Sequence, residues 1–420
     1  MNIEKVFQIS EDIIEKSNIV EEKIKKVFSN IENVAYFNQG KVLEAFQYYK
    51  VSNMHFGTST GYGYGDVGRE VIENIYARIF KAEDSLVRVQ FVNATHAIAT
   101  TLFACLNHGD ELVYVTGKPY DSICETIGIE PNDMSLMSKG VKYNQIELLN
   151  NEDLDVKGVV KYLKENKVKM IAIQRSKGYA DRKSITISQI EELIREVRKV
   201  DKEVIVFVDN CYGEFVEERE PIEVGANLCI GSLIKNMGGS LCETGAYVVG
   251  DQKLIERCAC QLTCPGIGKE CGATMNQNRN LLHGLFISPN VVANALKTMV
   301  FASCLLEELG YNTFPKFLDE RTDIVQTVKF EKEEDLIKFI QGIQKGSPVD
   351  SHVVPYPWDM PGYTDKVIMA AGTFIEGASI ELSADSPIRK PYIAYMQGGI
   401  TYESGKIEIL ISANNMLKGE

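Results

Sequence analysis

Val204-Ile205-Val206-Phe207-Val208-Asp209, followed by Leu228-Cys229-Ile230-Gly231-Ser232-Leu233-Ile234-Lys235, is the stretch on which the reading of this chain turns. Each part opens as a short apolar run rich in β-branched residues. That is the pattern of a strand buried on both faces of a parallel sheet. Each then ends in a residue that chemistry can use, an acid in one and a lysine in the other. Working outward, similar strand-like runs are Leu86–Val92, Glu111–Val115, Lys142–Glu147 and Lys169–Gln174 before Val204–Val208, and Ala246–Val249 after Leu228–Gly231. Helical patterns lie between them. The clearest is expected to start at Ser188, with Glu191 completing a capping box and Ile190, Leu193, Ile194 and Val197 on one face. Such alternation predicts a doubly wound α/β domain built on a mainly parallel, seven-stranded sheet.

The flanking sequence differs. Ile13, Ile14, Ile19, Val20, Ile24, Val27 and Phe28 recur at helical spacing, which predicts an N-terminal helical arm over residues 1–55. The segment from His55 to Gly68 is rich in glycine and reads as a loop. The large α/β domain is expected over 56–290. Beyond it, a smaller α+β C-terminal domain over 291–420 is expected to hold a helix at Val291–Leu309 and a strand at Ile324–Phe330. A helix at Glu331–Ile343 and strands near Val367–Ile375 and Ile407–Ile411 complete it.

Composition excludes several classes of function. The 420 residues carry 45 basic and 58 acidic side chains, a net charge of −13, which repels a phosphate backbone and argues against nucleic acid as partner. No apolar run approaches the roughly 20 residues that cross a bilayer, so no membrane partner is expected. Met1-Asn2-Ile3-Glu4-Lys5 lacks the pattern of a signal peptide, and a cytoplasmic protein is expected. The ten cysteines are irregularly spaced. Cys258, Cys260, Cys264 and Cys271 cluster, but their uneven spacing does not match a zinc site, so no metal is expected.

Three features point to one cofactor. Leu86–Val92 runs into Asn93-Ala94-Thr95-His96-Ala97, which opens an apolar helix; a helix start after a strand is an anion site. Asp209 stands at the carboxyl end of a buried strand, where parallel sheets bind ligands. Lys235 follows the end of another strand and projects toward the same crevice. Pyridoxal 5'-phosphate needs this set: a lysine for the Schiff base, an acid to keep the pyridine nitrogen protonated, and backbone donors for the phosphate.

Specific motifs extend the reading. Gly61-Tyr62-Gly63-Tyr64-Gly65-Asp66-Val67-Gly68-Arg69, Thr95-His96-Ala97-Ile98-Ala99, Pro119-Tyr120-Asp121, Gly231-Ser232-Leu233-Ile234-Lys235-Asn236, Leu262 to Glu270 and Glu381 to Arg389 resemble the bacterial aluminium resistance proteins. These are pyridoxal-phosphate carbon-sulfur lyases related to methionine gamma-lyase and cystathionine beta-lyase. The resemblance runs from about residue 35 onward. It implies the fold-type I fold of pyridoxal-phosphate-dependent transferases, in a homo-oligomer, usually a dimer of dimers, whose active sites are shared between subunits. By resemblance, Lys235 matches the Schiff-base lysine and Asp209 the partner of the pyridine nitrogen. Ser232, Thr95 and His96 match phosphate ligands, and Tyr120 an aromatic that stacks on the ring and moves protons. Tyr62, Tyr64 and Arg69 resemble the loop that reaches the neighbouring subunit's phosphate. Arg389 is the candidate clamp for the substrate carboxylate, with Arg175 and Arg279 as rivals, because a planar guanidinium grips a carboxylate with two bonds. The chain departs from the family pattern at Asn93-Ala94, where relatives tend to have Ser-Gly, and after Lys235, where they are richer in Gly, Pro and Ala.

The implied activity is removal of a thiol from a sulfur amino acid, giving a 2-oxo acid and ammonia. An aminotransferase would use the same residues, and a non-catalytic cofactor-binding stress-response protein is the alternative from another class. Gly63 to Gly68 spells G-x-G-x-x-G but follows no strand, so it is not a dinucleotide fingerprint.

Overall fold

The structure is a computed structural model that describes residues 3–62, 65–360 and 365–417. It divides into two compact units, Asn38–Phe286 and, separately, Met1–Phe37 with Ile287–Glu420. Both boundaries differ from the expected 55/56 and 290/291, and both fall inside long helices, Glu11–Tyr48 and Asn278–Glu308. The first residues form no separate arm. Ile13, Val20 and Ile24 are buried in one apolar core with Met299, Leu305, Val328, Phe339 and Ile409. Burial against that core, worth about 25 cal/mol per Å² of apolar surface, assigns the segment to the C-terminal unit.

All seven expected strands are present in the 38–286 unit, in the order β1-β7-β6-β5-β4-β2-β3. They are β1 (Asp84–Arg88), β2 (Glu111–Tyr114), β3 (Lys142–Gln145), β4 (Met170–Gln174), β5 (Ile205–Asp209), β6 (Leu228–Ser232) and β7 (Ala246–Gly250). The pairs β2–β3, β2–β4, β4–β5 and β5–β6 are parallel, while β7 runs antiparallel to both β6 and β1. Side chains alternate between two cores. Leu112, Met170, Ala172, Ile205, Phe207, Leu228 and Ile230 pack on one face with the Ala94–Cys105, Asp121–Ile127 and Gln252–Leu262 helices. Val113, Ile171, Ile173, Val206 and Val208 pack on the other with Val156–Glu165 and Ile187–Val197. Cover on both faces is why these strands read as continuous apolar runs.

The expected cap at Ser188 is corrected by one turn's entry. The helix is Ile187–Val197, and its cap is Thr186. Thr186 Oγ1 accepts the Gln189 N–H at 3.2 Å and Gln189 Oε1 accepts the Thr186 N–H at 2.9 Å. Both Thr-x-x-Gln and Ser-x-x-Glu are present in the sequence; the buried positions Ile187, Ile190, Leu193, Ile194 and Val197 select the earlier box.

The C-terminal unit holds a second, antiparallel sheet in the order β10-β11-β12-β9-β8. Its strands are β8 (Asn312–Phe314), β9 (Val325–Phe330), β10 (Val367–Ala370), β11 (Ser383–Pro387) and β12 (Tyr392–Gln397). The strand expected at Ile407–Ile411 is instead part of the helix Tyr402–Leu417. Thr401 Oγ1 accepts the Ser404 N–H at 3.2 Å at its start. Ile409, Leu410, Ala413 and Met416 are buried at helical spacing, which the short apolar segment Ile407–Ile411 does not show by itself. Among the described residues, the Asn278–Glu308 helix is long and apolar enough to cross a membrane, and it is mostly buried within the protein.

Candidate active site

The carboxyl ends of β4, β5 and β6 lie side by side. Gln174 pairs in register with Asp209, and Asp209 with Ile230. Asp209 closes β5 and Ser232 closes β6, with Lys235 in the turn that follows. Across the antiparallel strand, Ser232 pairs with Ala246 and Ala246 with Arg88 at the end of β1. The helix Ala94–Cys105 starts shortly after Arg88, so its N-terminus opens on the same edge of the sheet. Asn93 caps that helix, its Oδ1 accepting the His96 N–H at 2.9 Å. Parallel topology therefore carries the acid, the lysine and the helix start to one edge.

Electrostatics tie the acid to the lysine. Burial raises the Asp209 carboxyl above its usual range, and the Lys235 charge and the Cys211 N–H oppose that rise. Asp209 Oδ1 accepts the Cys211 N–H at 3.1 Å. For Lys235, burial works to lower the amine, but Cys211, Tyr212, Asp209 and Glu214 act against it and the net direction is upward. Lys235 Nζ stands 4.1 Å from the centre of the Tyr212 ring, a cation–π contact. Tyr212 is in the left-handed region at φ 74°, as is Phe215 at φ 62°, so the turn after β5 is bent to bring that ring to the lysine.

Other expected residues are distributed as follows. Thr95 Oγ1 lies 3.1 Å from Ser122 Oγ on the helix that Tyr120 precedes. The Tyr120 N–H donates to Gln174 Oε1 at 2.7 Å, and Gln174 is the register partner of Asp209. This chain of contacts brings Thr95, Tyr120 and Asp209 to one neighbourhood. Ser232 is buried, and its Oγ accepts the Ile234 N–H at 3.3 Å in the lysine turn. His96 Nδ1 accepts the Val92 N–H at 3.2 Å, and its ring meets Phe91 edge-on at 5.6 Å, so it steadies the helix entrance. Tyr62 is 84% exposed, whereas Tyr64 lies outside the described residues. Arg69 is buried and donates to the carbonyls of Gly61 (3.2 Å) and Glu270 (2.9 Å), bracing the loop that presents Tyr62.

Among the arginines, Arg389 belongs to the C-terminal unit, 52% exposed at its side chain and paired with Asp365 at 2.9 Å. Arg175 is fully buried and donates to Ile185 O, Asn210 Oδ1, Gly213 O and Glu217 Oε1. Its fork holds the turn after β5 together. The Arg279 guanidinium stands 4.7 Å from the centre of the Phe56 ring.

Sequence reasoning missed the residues that support the first two. Asn210 Nδ2 donates to Glu220 Oε2 at 2.9 Å, and Glu220 Oε1 accepts the Phe215 N–H at 2.9 Å. Tyr212 and Glu214 lie in the same turn. A signal existed: Asp209-Asn210-Cys211-Tyr212-Gly213-Glu214 places polar residues directly after a buried strand, and Glu214, Glu217 and Glu220 recur every third position.

An amine, a carboxylate and a helix N-terminus on one sheet edge, with a hydroxyl closing the neighbouring strand, fit the demands of pyridoxal phosphate. The sequence profile of the methionine gamma-lyase family matches residues 13–417, nearly the whole chain. The chain belongs to the methionine gamma-lyase family. Within it, the chain is 49% identical over 401 residues to the uncharacterized protein YnbB of Bacillus subtilis (strain 168), covering 95% of each. Among solved structures it is similar to a carbon-sulfur lyase involved in aluminium resistance from Clostridium novyi NT, at 43% identity and a TM-score of 0.95, over 99% of this chain and 98% of that one. A candidate cystathionine beta-lyase involved in aluminium resistance from Clostridium acetobutylicum matches at 45% identity and a TM-score of 0.96, over 99% and 98% of the two chains. Cystathionine gamma synthase from Xanthomonas oryzae pv. oryzae, only 13% identical, shares the fold at a TM-score of 0.59. The fold is that of fold-type I pyridoxal-phosphate-dependent enzymes.

Proposed function

We propose that this member of the methionine gamma-lyase family is a pyridoxal-phosphate-dependent carbon-sulfur lyase acting on a sulfur amino acid. The observation that carries the reading is the placing of Lys235 and Asp209 just past neighbouring parallel strand ends, close enough for each to shift the other's ionisation. Lys235 would hold the cofactor covalently, Asp209 would face its ring nitrogen, and Tyr120 would stack on the ring. Thr95, His96, Ser232 and the start of the Ala94–Cys105 helix would hold its phosphate. When bound, pyridoxal phosphate supplies an electron sink for negative charge at the substrate α-carbon. Lys235 Nζ would take the α-proton of the bound amino acid, its closeness to that carbon supplying much of the acceleration. The carbon–sulfur bond would break with both electrons going to sulfur, which takes up a proton and leaves as a thiol. The remaining enamine takes up water to give a 2-oxo acid and ammonia. Arg389 is the proposed clamp for the substrate carboxylate.

The reading includes a homo-oligomer, a dimer or a dimer of dimers, with sites completed by Tyr62 and Tyr64 of a neighbouring copy, on the loop that the buried Arg69 braces. Its support is that the 38–286 unit leaves Tyr48, Met54, Tyr62 and Met275 exposed. A cytoplasmic location suits the buried thiols of Cys105, Cys124, Cys211, Cys229, Cys242, Cys258 and Cys304.

The test is spectral and chemical. Protein mixed with pyridoxal phosphate is expected to turn yellow, and borohydride to fix the cofactor on a peptide containing Lys235. Incubation with sulfur amino acids should release thiol, ammonia and 2-oxo acid in equal amounts. Transfer of the amino group to an added keto acid without thiol release would instead identify an aminotransferase.

A further inference from the structure

One buried acid beside the lysine has no part in the chemistry above. Glu214 is fully buried in the turn after β5. Its Oε1 accepts the Tyr247 hydroxyl at 2.9 Å, while Oε2 is buried with no hydrogen-bond partner. The space it fills is reserved by Gly231 of β6: a Cβ there would lie 2.1 Å from Glu214 Oε1 and 2.5 Å from Tyr247 Oη. Asn236, the residue after Lys235, donates Nδ2 to the Glu214 carbonyl at 3.0 Å, so Glu214 is tied directly to the lysine turn.

The ionisable groups facing Glu214 come from every element around it. They are Tyr247 on β7, Tyr76 on the Val67–Phe80 helix, Cys229 on β6, Cys211 in the same turn, Glu220 and Lys235. Only Lys235 among these brings a positive charge, and Glu220 is a second acid. A carboxylate in that setting, with its own backbone N–H and the Tyr247 hydroxyl as neutral donors and one bare oxygen, is unfavourable. Burial first, and Glu220 beside it, push the Glu214 carboxyl up to about 8.

We propose that Glu214 is a positioning residue for Lys235, an uncharged acid that sets the place and the charge of the lysine turn through Asn236. This rests on the lyase reading and deepens it. The uncharged acid fills the gap at Gly231 and holds the turn that carries Tyr212 and Asn236. When Glu214 loses its proton in alkaline solution, a new negative charge stabilises the ammonium form of Lys235. The lysine then holds its proton to higher pH than it would beside an uncharged neighbour.

Two measurements test this. Infrared difference spectra of the protein without cofactor, taken between about pH 6 and about pH 10, should show the loss of a protonated carboxyl band, since carboxylates ordinarily titrate near 4. In Glu214→Gln, which leaves the share of Glu408, also pushed up to about 8 by burial, the Glu214 share of the band should be absent. Tyr247→Phe removes a donor that favours the carboxylate, so the same band should persist to higher pH. In the cofactor-loaded protein, the midpoint pH of the visible band should move down by about half a unit or more in Glu214→Gln, because an amide cannot add charge beside Lys235. Tyr247→Phe should move it the same way. A band of equal size in the wild-type protein and in Glu214→Gln overturns the inference. So does a loaded protein whose visible midpoint neither substitution moves. Failure of the wild-type protein to take up the cofactor at all overturns the lyase reading, while the infrared result still reports on Glu214 alone.

Discussion

At the scale of the residue, the proposed roles of Lys235 and Asp209 have different expected signatures. Lys235→Ala is expected to abolish covalent attachment: no cofactor should remain on the 229–240 region after borohydride and proteolysis. Asp209→Asn is isosteric and keeps the site's shape, but an amide cannot hold the ring nitrogen protonated. Colour should survive while turnover falls by about 10²–10⁴, the usual worth of a proton held in place in the transition state, measured as thiol release. Arg389 has a different expected signature. If it clamps the substrate carboxylate, Arg389→Ala should raise KM by about 10–100-fold, the worth of a charged hydrogen bond of about 1.5–3 kcal/mol. Cofactor colour should be unaffected, and an unchanged KM would remove Arg389 from the site. Both Lys235 and Asp209 are legible in the sequence because each follows an apolar strand directly. For Tyr212 and Glu214 the polar run after β5 marks only the turn, since their importance comes from a left-handed bend and a gap at Gly231 that arise in the folded chain.

At the scale of the element, the Ile187–Val197 helix offers a clean comparison. Thr186→Ala should cost about 0.5–2 kcal/mol in chemical denaturation, as loss of a cap does, and Ser188→Ala much less. The reverse order would restore the cap to Ser188. The Tyr402–Leu417 helix carries a pH dependence of its own. Glu408 is buried in it, and burial followed by repulsion from Glu381 pushes its carboxyl up to about 8. The folded state therefore holds a proton that the unfolded chain has released above about 4.5. This term favours folding fully below that pH, weakens as pH rises from about 5 to about 8, and is flat beyond. Its total is on the order of a few kcal/mol. Glu408→Gln should flatten the slope of stability against pH over that window, as followed by urea denaturation.

At the scale of the whole molecule, the proposed sharing of sites makes activity depend on assembly. Sedimentation should find a dimer or larger species at micromolar concentration. Mixing an inactive Lys235→Ala protein with an inactive Tyr62→Ala protein and allowing subunits to exchange should restore up to about a quarter of wild-type turnover, the share of sites rebuilt from intact halves in a statistical dimer. No recovery would mean that each chain is sufficient by itself. A net charge of −13 disfavours nucleic acid as a partner of such an assembly.

Sequence by itself was enough to determine a mainly parallel, seven-stranded architecture, because strands covered on both faces must be apolar throughout and their helices amphipathic. It also determined which lysine and which acid meet, because carboxyl ends of parallel strands share an edge. Tertiary structure alone decided that the first helix belongs to the C-terminal core and that Ile407–Ile411 winds as helix. It alone decided, too, that Arg175 is a buried brace and that Arg69 holds its own loop. Those outcomes depend on which surfaces and carbonyls come within reach of one another, and reach across the fold is not encoded in any window of neighbouring residues.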